Sequence, residues 1–325
     1  MTVLIAAPIM SAHARPDTAQ NRNEGVRVPR ELVHRADASD VLITHFQQLS
    51  GPGAGADGTF RTSVQWPRAH ALFSPVADGR ENPMLIAETI RQAGTAVAHL
   101  AYDAPTDLHF LMWDLRYAVP AEVLRSGRSL APTSAVVRAL DVRRRGRRLA
   151  SFHIQADLYR DDVLVGHGGA SATLVTDAAY RRLRPARPAA ARVPLPDPVP
   201  PVLVGRTGAR DVLLAASGTP GSWLLRADLG HPVIFDGQSD HMPGRGLLEA
   251  MRQAAQLATG YDHVVVPSVD AEFCRYVELD RPCLVTAEVR APLPDGSLPT
   301  WVTLTQDDEV AAVGVLLVRP SGAAS

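Results

Sequence analysis

Two copies of one side-chain pattern carry most of the chemistry available to this chain. Glu88, Arg91 and Gln92 stand at i, i+3 and i+4, and Glu249, Arg252 and Gln253 repeat the same types at the same spacing. On a helix such residues share one narrow stripe, continued by Thr95 and His99 in the first copy and by Gln256 in the second. On a solvated face this would be an i,i+3 ion pair worth about a few tenths of a kcal/mol. Facing a cleft, the carboxylate is pushed up in pKa by desolvation and down by the neighbouring guanidinium, and so can stay ionised as a general base. The arginine beside it then offers a fixed fork for a phosphate or a carboxylate. Repetition on a second, largely apolar helix favours the cleft.

Other candidate groups are sparser. His70 and His231 recur between the copies, either as histidines hydrogen-bonded at a strand end or as substrate contacts. Cys274 and Cys283 lie nine residues apart without a C-x-x-C or a companion cluster, which fits core packing in a reducing cytoplasm rather than a disulfide or a zinc site. Gly53-x-Gly55-x-x-Gly58 has the dinucleotide spacing, but β-rich Thr59–Arg68 follows it, with no helix for a pyrophosphate to cap. No G-x-S-x-G elbow, P-loop or H-E-x-x-H motif occurs, so hydrolase-fold, P-loop and zincin chemistry lose their main support. Arg143-Arg144-Arg145-Gly146-Arg147-Arg148 reads as a hairpin tip, either a solvated turn or a docking patch for an acidic partner such as an acyl carrier protein.

The elements that must position these residues are themselves written twice. Val33-x-Arg35 and Asp40-Val41-Leu42-Ile43 recur as Val204-x-Arg206 and Asp211-Val212-Leu213-Leu214 at an offset of 171, while the glutamate stripes and the two histidines recur at an offset of 161. A loop at Gly51–Gly58, mostly missing from the second half, accounts for the difference, and the pattern reads as a duplicated domain. Each copy predicts a short β-rich segment (Val41–Leu49, Val212–Ala216) and then a long helix (Pro83–Leu100, Pro243–Thr259). Strand-like runs follow at Ala135–Arg143, Ala150–Tyr159 and Val163–Val175, and at Cys283–Arg290, Trp301–Gln306 and Val310–Val318. The acidic pairs Asp161-Asp162 and Asp307-Asp308 mark the last turn of each copy. One helix followed by a meander excludes a doubly wound sheet and predicts an α+β fold, with a sheet wrapped around one central helix. The expected division is a flexible segment over 1–29, a first repeat over 30–183, a proline-rich linker over 184–201 and a second repeat over 202–320.

Composition narrows the partners. With 46% hydrophobic residues, 21% charged residues and a formal charge of −1, the chain reads as globular, with no global field for nucleic acid or an anionic membrane. All 33 basic residues are arginine, a coding bias before it is a function. Met1–Ala14 mimics a signal peptide but lacks a positive n-region and is broken by Pro8, so export is not expected.

Several segments together resemble a known family. Val33-His34-Arg35, Gln65-Trp66-Pro67-Arg68-x-His70, Ala87-Glu88-Thr89-Ile90-Arg91-Gln92-Ala93-Gly94, Phe110-Leu111-Met112-Trp113-Asp114-Leu115 and Asp240-His241-x-Pro243-Gly244 are similar to the A-factor biosynthesis (AfsA-like) proteins, over nearly the whole chain after about residue 30. Glu81-Asn82-Pro83 departs from the family's more usual His-Asp-Pro. The resemblance implies two tandem hot-dog repeats packed as an internal pseudo-dimer. It also implies an acyltransferase that joins a β-ketoacyl group, delivered on acyl carrier protein, to a hydroxyl of dihydroxyacetone phosphate, on the way to a γ-butyrolactone-type or furan signal. On that reading Glu249, or alternatively Glu88, is the catalytic base. Arg252 and Arg91 hold phosphate, Gln92, Gln253, His70 and His231 bind substrate, and the amides near Pro243-Gly244 receive the oxyanion. Acyl transfer is not redox chemistry, so neither metal nor organic cofactor is expected. The alternatives are a hot-dog dehydratase or thioesterase and a non-catalytic acyl-binding module.

Overall fold

A computed structural model describes residues 25–51, 57–68, 70, 72–73, 75, 79, 81–126, 129–184, 195–237 and 239–321. The first repeat runs β1 (Val26–Arg27), β2 (Ile43–Ser50), β3 (Gly58–Val64), α1 (Met84–Tyr102), β4 (His109–Ala118), α2 (Ala121–Ser126), β5 (Ser134–Arg145), β6 (Arg148–Arg160), β7 (Val163–Val175) and α3 (Asp177–Leu183). The second runs β8 (Leu214–Ala216), β9 (Ser222–Leu225), α4 (Gly244–Thr259), β10 (Val264–Phe273), β11 (Leu284–Val289), β12 (Leu298–Gln306) and β13 (Glu309–Pro320). The thirteen strands among the described residues form one sheet, ordered β1-β2-β3-β5-β6-β7-β4-β10-β13-β12-β11-β9-β8. The architecture is the expected α+β hot-dog pair, and its internal seam is the antiparallel pairing of β4 with β10, from Ser268 opposite Ala118 to Glu272 opposite Asp114. Tyr117 fastens the seam, its buried hydroxyl donating to the Val266 carbonyl at 2.8 Å.

The sheet curls around α1, which is apolar over most of its surface, and again around the more polar α4, whose residues 246–256 are buried. In α1 all but Arg91, Leu100 and Ala101 are buried, and the sheet closes tightly where β7 carries glycine. A Cβ at Gly168 would fall 2.7 Å from Ile90 Cδ1 and 2.1 Å from the Arg116 carbonyl oxygen, so only glycine lets the helix and the neighbouring strand come this close. At Asp161-Asp162 and Asp307-Asp308 both residues of each pair have positive φ, the geometry of a two-residue hairpin turn that aspartate tolerates.

The two strands that join the repeats, β4 and β10, are among those that the sequence pattern leaves out, as are the short β1 and β9. Strand β4 lies between β7 and β10 with most of its residues half-buried and shows no clean alternation, while β10 alternates only from Ser268 to Phe273, after Pro267 inside a register shift. Gly53 and Gly55 and most of the proline-rich stretch lie outside the described residues, as does the signal-like start. At the far end of that stretch Val199 N–H donates to the Leu214 carbonyl, bringing the chain onto the second repeat. Among the described residues no helix is long and apolar enough to cross a membrane.

Candidate active site

The repeated stripe and the repeated segment ahead of it bind one another. Gln92 takes the Leu42 N–H on its carbonyl oxygen (2.7 Å) and donates to the Asp40 carbonyl (2.7 Å), while Gln253 does the same with Leu213 N–H (2.9 Å) and the Asp211 carbonyl (2.7 Å). Arg91 donates to the Val33 carbonyl (3.1 Å) and Arg252 to the Val204 carbonyl (2.6 Å). At the centre of each set is a glutamate held between two guanidinium groups. Glu88 lies 2.6 Å from Arg35 and 2.8 Å from Arg91, and Glu249 lies 2.7 Å from Arg206 and 2.9 Å from Arg252. Gln92 and Gln253 add amide donors at 2.8 and 2.7 Å.

This geometry gives Glu249 and Glu88 surroundings that suit an anchor better than a base for the substrate proton. Glu249 is 0% and Glu88 3% exposed, neither lines the cavity between the repeats described below, and their acceptor sites are filled by protein donors. Burial alone would raise both carboxyl groups. The paired arginines outweigh it and hold both low, Glu88 at about 2, which leaves little basicity for proton transfer. Arg252 is likewise used up, its remaining nitrogen donating to Gln256 at 2.9 Å.

His70 and His231 follow the hydrogen-bonded reading, within loops. His70 Nδ1 accepts the Leu72 and Phe73 N–H groups (both 3.1 Å), and His231 Nδ1 accepts those of Val233 and Ile234 (3.2 and 3.1 Å). Their far nitrogens face Asp40 at 4.0 Å and Asp211 at 3.1 Å. Neither histidine lines the cavity described next.

A cavity of about 870 Å³ opens between the repeats, and of the expected residues it collects Arg91 and Gly244. One wall is apolar: Gly94 of α1 faces Phe152 and Ile154 of β6, which pair with Ala172 and Ala170 of β7. Met112 of β4, opposite Ala172, carries this wall to the start of α4, where a Cβ on Gly244 would fall 2.7 Å from Met112 Cε. There Pro243 precedes the helix without a side-chain cap, and its carbonyl already serves Gly246 and Leu247. The Gly244 and Arg245 N–H groups thus begin the helix without a hydrogen-bond partner among the described residues and beside the cavity, where the positive end of the dipole favours an anion. The first copy has no such opening, because the Asn82 side chain caps Met84 N–H at 3.0 Å and Met84 is buried.

The group that motif reading passed over is His241, quoted within Asp240-His241-x-Pro243-Gly244 but given no role. It lines the cavity next to the α4 start, with its Nδ1–H donating to Asp240 at 2.7 Å. Burial would raise the Asp240 carboxyl, but bonds from His241, Arg184 and Tyr180 hold it well below the usual carboxylate range. An ionised Asp240 fixes the tautomer in which His241 Nε2 carries the lone pair. Arg184, counted in the linker from sequence, bridges Asp240 (2.6 Å) and Glu278 (2.8 Å) on the same wall. Cys274, expected in the core, is exposed on the cavity wall, and burial of its surroundings raises its thiol pKa, so nothing activates it as a nucleophile. Cys283 is buried. Among the described residues no group of three or more His, Cys, Asp or Glu could hold a metal ion.

The chain matches the family model for the A-factor biosynthesis hotdog domain over residues 17–176 and again over 189–321. A curated relative from Streptomyces virginiae, named 2-oxo-3-(phosphooxy)propyl 3-oxoalkanoate synthase, is 41% identical over 91% of this chain and 98% of its own length. A relative of the same name from Streptomyces coelicolor is 37% identical over 89% of this chain and 90% of its own. Among solved structures, an acyl-ACP thioesterase from Bacteroides thetaiotaomicron superposes with a TM-score of 0.46 at 9% identity, covering 81% of this chain and 98% of that one, too loosely to bear on the reaction. With both halves matched by one family model and relatives of this identity along most of its length, the chain belongs to the A-factor biosynthesis (AfsA) hotdog family.

Proposed function

We propose that this chain catalyses the condensation that its relatives' names describe, transferring the acyl group of a 3-oxoacyl thioester to the hydroxyl of dihydroxyacetone phosphate. The observation that carries the reading is the single cavity in which an apolar channel meets a fixed imidazole and two free helix-start N–H groups. The acyl chain lies along Gly94, Phe152, Ile154, Ala170 and Ala172, with its thioester carbonyl at the Gly244 and Arg245 amides. His241 Nε2 takes the proton of the alcohol as its oxygen attacks that carbonyl, and the helix start holds the resulting oxyanion. The attack forms the ester C–O bond; collapse of the tetrahedral intermediate re-forms the carbonyl and breaks the C–S bond, and the thiolate leaves with the proton from His241. No oxidation state changes. Glu249 and Glu88 act as internal anchors for the segments that frame the site.

The thioester carrier in this reading is an acyl carrier protein. Arg143, Arg145, Arg147 and Arg148 stand exposed at the β5–β6 tip, unpaired with carboxylates among the described residues, and the strand leads from Arg148 to Phe152 on the cavity wall. An acidic carrier fits that tip. Mass spectrometry of purified protein with a 3-oxoacyl thioester tests the reaction: the phosphorylated ester should form only when dihydroxyacetone phosphate is present. Release of the free 3-oxo acid at the same rate with or without it would indicate a thioesterase instead, and tight thioester binding without turnover a binding module.

A further inference from the structure

The two glutamate networks are copies in sequence but not in connection. In the second repeat, Arg206 and Arg252 converge on Glu249, and neither arginine reaches the cavity. In the first, the network crosses the repeat boundary. Arg35, with a fully buried side chain, reaches Glu88 with Nη2 at 2.6 Å and Asp236 of the second repeat with Nη1 at 2.8 Å. The other Asp236 oxygen meets Arg245 at 3.2 Å, and Arg245 also donates to the Val233 carbonyl at 2.9 Å. Three guanidinium groups, those of Arg35, Arg91 and Arg245, therefore share only two bonded carboxylates.

Two of those three, Arg91 and Arg245, lie on the cavity wall. They come from different repeats and are linked through Arg35, which bonds both Glu88, the partner of Arg91, and Asp236, the partner of Arg245. Arg91 commits Nε and Nη2 to Glu88 and the Val33 carbonyl, leaving Nη1 without a protein partner among the described residues. The other cavity arginines are matched: Arg184 with Asp240 and Glu278, Arg275 with Glu309, and Arg281 with Asp307. Unmatched positive charge on the wall is thus concentrated at Arg91 and Arg245, beside the positive end of α4.

We infer that Arg91 and Arg245 form a clamp for a phosphate monoester, and that Asp236 is the positioning residue that sets the clamp across the repeat boundary. A phosphate monoester carries a charge of about −1.5 to −2 near pH 7 and presents three strong acceptors, which suits two guanidinium groups that are only part-neutralised. Arg245 contributes its side chain to the phosphate and its backbone N–H to the neighbouring carbonyl, so a three-carbon alcohol held by its phosphate is kept next to His241. The clamp rests on the proposed condensation for the identity of the phosphate-bearing substrate.

Calorimetric titration of the whole chain with dihydroxyacetone phosphate, without thioester and so without turnover, tests the clamp apart from the reaction. Wild type should bind it, and Arg245→Gln should weaken binding at least tenfold while still melting in one cooperative transition well above the titration temperature. Arg275→Gln, a matched cavity arginine, should bind as wild type. Dihydroxyacetone, which lacks the phosphate, should bind weakly and equally to all three. In turnover, Asp236→Asn should raise KM for dihydroxyacetone phosphate severalfold, with kcat and the KM for thioester kept, a split that mere loosening of the fold would not produce. No binding by wild type, or equal binding by wild type and Arg245→Gln, would overturn the clamp. Phosphate binding through Arg245 with no ester formed would leave the clamp standing and remove the condensation. Ester formation indifferent to Arg245→Gln would do the reverse.

Discussion

Replacing Glu249 by glutamine separates an anchor from a base. Glu249 accepts hydrogen bonds from Arg206, Arg252 and Gln253 and has no exposed surface. Glutamine keeps the size of the side chain and one acceptor oxygen but leaves two buried guanidinium groups without their shared anion. Breaking a buried pair in this way costs about 3–5 kcal/mol. Unfolding entropy of about 2.1 cal/mol/K per residue gives on the order of 0.7 kcal/mol/K for 325 residues unfolding together, so Tm should fall by roughly 4–8 °C. Assayed well below its Tm, the variant should keep kcat within about tenfold of wild type, because the carboxylate does not touch the cavity. Differential scanning calorimetry and single-turnover kinetics on the same preparation read both quantities. An unchanged Tm with a rate loss of about 10²–10⁴ would refute the anchor role and return the proton to Glu249.

His241→Asn is expected to do the opposite, losing about 10²–10⁴ in single-turnover rate with Tm nearly unchanged, and Asp240→Asn should lose less because it only orients the ring. Gly94→Val adds bulk where even a Cβ meets Ile154 Cδ1 at 2.9 Å, so kcat/KM should fall for long 3-oxoacyl thioesters and less for short ones, read from a chain-length series. Stability should weaken on acidification in two stages. Burial pushes His70 down to about 4, so its contribution is complete above about pH 6.5 and lost as pH falls towards 4; Glu88, held at about 2, contributes above about pH 4.5 and is lost as pH falls towards 2. A pH series of melting curves should show both, and His70→Asn, which can still accept the Leu72 and Phe73 N–H groups, should reduce the upper stage without removing it, because burial pushes His34 down to about 4 as well.

Duplication made much of the fold readable in one dimension, because repeated residues with a shared order and one loop difference require repeated structure. The pairing of the repeats with one another is a long-range fact: β4 is mostly half-buried and shows no alternation, and the alternation of β10 over residues 269–273 marks a strand without saying that its partner is β4. The glutamate stripe shows the same limit at the level of chemistry. Its residue types fit a catalytic base with a phosphate fork, and equally an ion pair that fastens a preceding segment. Only the enclosure of Glu249 by Arg206, matched at Arg35 in the other copy, selects the second. Both arginines stood in the repeated Val-x-Arg pairs, so the signal was present as co-occurrence without a way to read contact from it. His241 was visible as part of a motif, but its role depends on Asp240 and on the opening at α4, where Asn82 closes the equivalent point of the first copy.

The most direct test of the reaction site is a crystal structure with a hydrolysis-resistant ketone analogue of the 3-oxoacyl thioester. The chain's own geometry predicts the carbonyl oxygen at the Gly244 and Arg245 N–H groups, with the acyl tail between Gly94 and the Phe152–Ile154 wall and His241 Nε2 facing the carbonyl carbon. An analogue bound at the start of α1 near Asn82, or against Glu249 with the cavity between the repeats left empty, would contradict it.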